Sequence, residues 1–176
     1  MPVQIDTRLN LVFLIMGLVF VLGFLIPETL VIPVKAACAS DWNKNTFWYE
    51  PWGKSITHKG IDIFARQGTP VLAASGGMVI FNGELGIGGK VVAVLGPKWR
   101  IHYYAHLKQS YTHWASLLQR GEQLGQVGNT GNASHKPPHL HYSILTPIPY
   151  PWRWDGSTQG WMKMFFLNPG EKLLAK

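Results

Sequence analysis

Hydrophobic positions fall into two regimes along this chain. From Leu11 to Ile26 the run LVFLIMGLVFVLGFLI carries no charge and no polar stripe before it stops at Pro27-Glu28, which predicts a helix apolar on all sides. At 1.5 Å per residue such a helix spans about 24 Å. That is short of the roughly 20 residues a full membrane crossing takes and slightly long for the core of a cleaved signal. Beyond Cys38 the apolar runs become short and closely spaced. TPVLAAS, GMVIFNG, KVVAVLG and RIHYYAHL each read as one strand between turn signals such as Gly76-Gly77 and GELGIGG, and QLGQVGNTG and HLHYSIL add two more. Helical periodicity is confined to HWASLLQR, where Trp114, Leu117 and Leu118 fall at i, i+3 and i+4. The pattern predicts an all-β domain, an antiparallel sheet folded into a sandwich or half-barrel, preceded by one amino-terminal hydrophobic helix.

A chain of 176 residues suits one domain plus a short appendage. We divide it into residues 1–37, a membrane anchor or signal segment, and a domain over residues 38–176. Ala37-Cys38-Ala39 offers a small-x-small cleavage pattern, whereas only Arg8 and the terminal amine supply positive charge before the apolar run. Both fates place the domain outside the cytoplasm, anchored to the cytoplasmic membrane in one case and released in the other. Cys38 is the only cysteine, so stability comes from the core or a metal rather than an internal disulfide. Lys35, three places before it, replaces the apolar residue of a lipoprotein signal.

Charge sharpens the choice of partner. Asp6, Arg8, Glu28 and Lys35 cancel within residues 1–37, so the whole net charge of +7 belongs to the exported part. That favours anionic polymer or a membrane surface. Nucleic acid is not expected, because Lys44, Lys54, Lys90, Lys98, Lys108 and Lys136 are scattered without a cluster.

The chemistry concentrates in two places. In SHKPPHLHYSI, His139 and His141 stand at i and i+2 of a strand, so both imidazoles face one space about 7 Å apart along the chain. In THKGIDIF, His58 and Asp62 flank Gly60 where a loop enters a strand. His58, Asp62 and one of the tandem histidines make a set of two imidazoles and one carboxylate, which leaves zinc an open fourth position for water. Aromatic segments DWNKNTFWYEPWG and PIPYPWRWDGSTQGW read as packing across loops over the core, or as walls of a groove.

In order, THKGIDIFARQGTPVLAASGGMVI, HYYAHL, RGEQLGQVGNTG and PPHLHYSI resemble the successive motifs of the lysostaphin-like zinc endopeptidases, which cut peptide cross-links in bacterial cell walls, and FFLNPGEKLL resembles their closing segment. The resemblance spans about residues 53 to 174. It implies one Zn2+ per chain held by His58, Asp62 and His141, with His106 and His139 as catalytic histidines that do not bind metal. It also implies an antiparallel β groove with zinc on its floor and peptidoglycan peptides as the partner. A zinc-bound water has a pKa lowered towards 7, and attack needs a proton acceptor and an oxyanion donor. With no Glu beside the tandem histidines, His106 and His139 are the available pair.

The chain departs from the family in places. Asn132 to Pro138 is about two residues longer than the usual connection, GIGGK replaces a commoner Gly-Asn ending, and Ser143 stands where a Glu often follows the aromatic after the second His. Of the other histidines, His102 is expected on a sheet surface, sharing a face with Tyr104 and His106, and His113 and His135 in solvent. Gly60, Gly68, Gly76, Gly77, Gly128 and Gly131 are expected as turn residues. The rival to a peptidase is a silent groove of the same fold that binds peptidoglycan or activates a wall amidase.

Overall fold

The structure is a computed structural model and describes residues 7 to 175; the terminal amine, Asp6 and Lys176 lie outside them. Helix α1, Thr7–Leu25, takes in four residues upstream of the uncharged run and stops before Pro27. Ten short strands follow among the described residues: β1 Ile61–Phe64, β2 Pro70–Leu72, β3 Gly77–Glu84, β4 Lys90–Leu95, β5 Ile101–Ala105, β6 Leu107–Ser110, β7 Leu117–Leu118, β8 Gln123–Val127, β9 His139–Leu145 and β10 Phe166–Leu167. A short helix α2, Pro169–Leu174, closes the fold. Asn168 caps it, its side chain accepting from the Gly170 N–H.

All pairings are antiparallel. The larger sheet runs β1-β9-β5-β4-β3-β7 with β10 also on β9, and the smaller runs β2-β8-β6. One face of the larger sheet meets the smaller one in the core. Ile61, Ile63, Leu140, Tyr142 and Ile144 pack there with Val71, Leu124 and Val127. Each fully buried aliphatic side chain contributes roughly 1.5 to 3 kcal/mol of transfer free energy. The other face of the larger sheet is left for a cleft. The predicted all-β antiparallel fold with one amino-terminal apolar helix is borne out.

The predicted helix over HWASLLQR does not form. Leu118 is buried while Trp114 and Leu117 stay exposed, and Leu117–Leu118 pairs with Gly77 and Met78 of β3. Further bonds run from the Ala115 N–H to the Val79 carbonyl and from the Val79 N–H to the Ser116 carbonyl, each 2.8 Å. The open edge of β3 offers these partners, and satisfying them outweighs three apolar residues at helical spacing.

The segment after α1 belongs to the same core. Val34 bridges Val71, and backbone bonds join Val31 to Ala74, Pro33 to Leu72 and Lys35 to Pro70. Residues 28–35 therefore run as a strap along the edge of β2, amino-terminal to the division expected at residue 37.

Candidate active site

Strand register builds the site. Asp62 lies directly opposite His141, and Phe64 opposite His139, across β1 and β9; Ala105 of β5 lies opposite His141 on the other side. Directly opposed residues share a face. Asp62, His139 and His141 therefore look into the cleft, while Leu140 and Tyr142 between and beyond them face the core. Asp62 Oδ1 stands 2.8 Å from His141 Nδ1.

His58 precedes β1 in a turn tied to the aromatic loop by two backbone bonds, Trp48 N–H to His58 carbonyl at 2.7 Å and His58 N–H to Tyr49 carbonyl at 3.0 Å. Its Nε2 reaches 3.1 Å from both Asp62 Oδ1 and His141 Nδ1. Gly60 is needed by close approach rather than by a turn. A Cβ there would lie 2.5 Å from Ser143 Oγ and from the Tyr142 carbonyl oxygen, and 2.9 Å from His141 Cε1.

Protons account for what this triangle wants. The Thr46 carbonyl can only accept, so His58 Nδ1 donates to it at 3.0 Å and His58 Nε2 carries a lone pair. Ser143 Oγ donates to the Lys59 carbonyl at 2.8 Å and so accepts from His141 Nε2 at 3.0 Å, which leaves a lone pair on His141 Nδ1. Two imidazole lone pairs and a carboxylate oxygen thus point at one another with no hydrogen among them. Three such donors repel unless a cation joins them, and two imidazoles with a carboxylate suit zinc. The donor set fits the metal. Burial pushes the Asp62 carboxyl up, but without metal, hydrogen bonds from His141 and His58 when those rings are protonated, and then their positive charge, hold it far below the usual carboxylate range. Burial also pushes the His141 imidazolium down, against the pull of Asp62.

His106 arrives by a backbone device. β5 alternates, so His102 and Tyr104 face the core while Tyr103 and Ala105 line the cleft. A regular strand would send His106 to the same side as His102 and Tyr104, the arrangement its spacing predicts. Instead the chain leaves the strand at Ala105, His106 takes φ +63°, and its ring turns into the cleft. The left-handed residue is held by a bond from its N–H to the Gly88 carbonyl at 2.9 Å, and its Nδ1 donates to the Thr130 carbonyl at 2.9 Å. The loops that supply these carbonyls touch where Gly131, at φ +67°, meets Gly89; a Cβ on Gly131 would collide with the Gly89 nitrogen. His139 Nδ1 donates to the Pro137 carbonyl at 2.7 Å. Both rings, 5.0 Å apart at their centroids, therefore keep Nε2 open. His139 Nε2 stands 3.8 Å from Asp62 Oδ2. Burial first, then positive charge at His141 and His139, pushes His106 down to about 4.

All five residues singled out in the sequence meet in one cleft of about 520 Å³, walled by Trp52, Phe64, Tyr103, Ile87, Leu145 and Phe166. Trp52 stacks on His58 with ring centroids 4.0 Å apart, so the first aromatic segment forms a wall. Trp152, Trp154 and Trp161 of the second are exposed, and that segment reaches the site through Gln159, whose Oε1 accepts from Lys59 at 2.6 Å and Thr57 at 2.7 Å. Sequence reasoning missed Tyr103, although strand alternation around Tyr104 would have placed it. It also missed Ser143 as the partner of His141. His102 corrects its expected surface position: it is fully buried, with Nδ1 2.7 Å from the Tyr142 hydroxyl. His113 and His135 are exposed as expected. Gly60, Gly77 and Gly128 are set by backbone crowding, and only Gly68 and Gly131 of the six take positive φ.

The antiparallel β cleft brings together a His-Asp-His set that could hold a metal ion, with two further imidazoles beside it. Residues 56–149, more than half of the chain, match the model of peptidase family M23, and the chain belongs to that family. The lysostaphin-type resemblance is thereby borne out. Over 85 residues it is 39% identical to a DD-carboxypeptidase/endopeptidase, Mpg, of Neisseria meningitidis, covering 48% of this chain and 19% of that protein. Over 114 residues it is 30% identical to the L-Ala–D-Glu endopeptidase of Bacillus subtilis, covering 60% of this chain and 35% of that protein. The chain thus spans between about a fifth and a third of these relatives. In structure it resembles the catalytic domain of lysostaphin from Staphylococcus simulans, with a TM-score of 0.58 and 24% identity over 71% of this chain and 86% of that one.

Proposed function

We propose that the chain is an exported zinc metallo-endopeptidase that hydrolyses peptide cross-links or stem peptides of bacterial peptidoglycan, with one Zn2+ held by His58, Asp62 and His141. The observation that carries this reading is the convergence of three proton-free donor atoms beside two imidazoles whose Nε2 atoms are open. The names of the Neisseria and Bacillus relatives, both peptidases, support the substrate class.

When bound, zinc supplies a Lewis acid that lowers the pKa of water and polarises a carbonyl. Thr46 and Ser143 keep His58 Nε2 and His141 Nδ1 as lone pairs for it. His106, neutral with Nδ1–H fixed on Thr130, presents Nε2 as the acceptor for the attacking water's proton. His106 then returns that proton to the leaving amine. His139, whose Nε2 stands 3.8 Å from Asp62 Oδ2, stabilises the developing oxyanion when that nitrogen carries a proton. The apolar walls of Trp52 and Phe64 limit water around these groups.

The test is mass spectrometry of fragments released from purified peptidoglycan by the zinc-loaded full chain in detergent, with and without a chelator. New amine ends that vanish with chelator are the expected result, and they name the bond. Folded, zinc-bound protein that releases nothing across several wall chemistries would move the chain to the silent, regulatory groove. Wild-type cleavage by His141→Ala would remove the proposed ligand set.

A further inference from the structure

The strap that follows α1 bears on how the peptidase is mounted. Glu28, three residues past the end of α1, has a side chain only 5% exposed that ion-pairs with the buried Arg100; its other oxygen lies 3.5 Å from His102 Nε2. His102 in turn contacts the Tyr142 hydroxyl at 2.7 Å, and Tyr142 sits between His141 and Ser143 on β9. Val34 is only 2% exposed and belongs to the core cluster, against which Leu30 and Ile32 also pack. The small-x-small pattern at Ala37-Cys38-Ala39 lies after all of these strap residues. Cleavage there would strip the partner from the edge of β2 and leave Arg100 a buried cation without its carboxylate.

The connection between α1 and the strap is short. Only Ile26 and Pro27 separate Leu25 from Glu28, whereas a flexible tether takes a longer Gly- or Ser-rich segment. The end of α1 is itself docked. Trp99, in the turn between β4 and β5, donates its indole N–H to the Phe20 carbonyl at 2.8 Å and stacks on the Phe20 ring. Gly23 makes this fit possible, since a Cβ there would collide with the Trp99 ring. The rest of α1 is largely uncovered among the described residues. Phe13, Leu14 and Met16 are each more than 60% exposed, and the span from Arg8 to Leu25 is long and apolar enough to cross a bilayer. A helix apolar on every side, with tryptophan at its domain end, matches a lipid core bounded by an interface.

We propose that α1 is a permanent membrane anchor, and that the strap of residues 28–35 joins it rigidly to the peptidase domain, seating the domain directly on the lipid surface. The cleft then stays within about one domain diameter, roughly 40 Å, of the bilayer. On the peptidase reading above, its substrate is the peptidoglycan nearest the membrane.

The experiment does not depend on activity. The full chain with a carboxy-terminal tag is expressed in a bacterial host, membranes are washed with alkaline carbonate, and the intact mass of the tagged protein is measured. Retention of residues through α1, with the domain digested by protease added to spheroplasts, is expected. A soluble exported product beginning near Cys38 overturns the anchor, and an intact membrane protein whose domain is shielded from that protease overturns the orientation. The rigid mount is tested by thermal unfolding of the full chain in detergent. Val34→Asp is expected to lower the midpoint by about 5 °C or more, and Glu28→Gln, which keeps the side-chain shape and removes the charge facing Arg100, by a smaller amount. Unchanged midpoints in both variants show a passive linker and overturn it. Loss of wall cleavage with these results intact refutes the peptidase reading alone.

Discussion

Ser143→Ala tests how the site holds its metal ligand. The serine is buried, and its hydroxyl is the only group described against His141 Nε2, at 3.0 Å, while its own proton is committed to the Lys59 carbonyl at 2.8 Å. Removing the oxygen takes away both the acceptor for His141 Nε2–H and the donor for Lys59. The crowding around Gly60, where even a Cβ would lie 2.5 Å from Ser143 Oγ, leaves little room for water to replace it. His141 is then free to carry its proton on Nδ1, the atom aimed at Asp62 and His58, and must give that tautomer up to bind metal. Loss of such an outer partner lowers metal affinity about 10- to 100-fold, which corresponds to about 1.4 to 2.7 kcal/mol at about 1.36 kcal/mol per tenfold. The assay is zinc competition against a chelator of known affinity, with wild type and variant compared at one pH and their folds checked by circular dichroism. Equal zinc affinity in a folded Ser143→Ala protein would refute the assignment of the His141 tautomer and the reasoning built on it.

Gly60→Ala is expected to separate site geometry from fold. The new methyl must push β1 away from β9 by several tenths of an ångström, so zinc content and peptidase activity fall by a larger factor than stability, which drops by about 1 to 3 kcal/mol; full activity with full zinc content would contradict the close approach. Acidification probes His106. Its imidazolium is pushed from 6.5 down to about 4 in the folded chain, so the unfolded state takes up a proton first as pH falls. The stability it contributes is complete above about 6.5 and is lost as pH falls towards 4. Urea unfolding of the metal-free protein between pH 7.5 and 5 should show this loss, and His106→Gln should reduce it; an identical slope in the variant would show that His106 titrates normally.

Much of the site was legible because the residues that carry it sit in short local patterns. His139 and His141 share a face for the same reason that any i and i+2 pair in a strand does. The alternation of β9 keeps Leu140 in the core and the imidazoles out of it. The helical reading of HWASLLQR failed because the partner that decides it, the edge of β3, lies more than 30 residues earlier. His102 was misplaced for a related reason: its burial depends on Tyr142 and Glu28, which come from β9 and from the strap.

The sequence by itself narrowed the candidate metal-holding side chains to His58, Asp62 and one of His139 and His141, marked most of the strand runs, and showed that one helix had no polar face to turn outward from a soluble core. Only the tertiary structure decided that His58 would stand 3.1 Å from His141, 83 residues away, and that Asp62 would fall opposite His141 rather than one residue to either side. It also decided that a single left-handed residue would turn His106 out of its strand, and that Glu28 would pair with Arg100, 72 residues away. Periodicity encodes the face a side chain takes, because each residue's direction follows from its neighbours' backbone angles. Register, strand exit and strap docking are settled by which distant hydrogen bonds and buried contacts can be satisfied together, and no local pattern contains them.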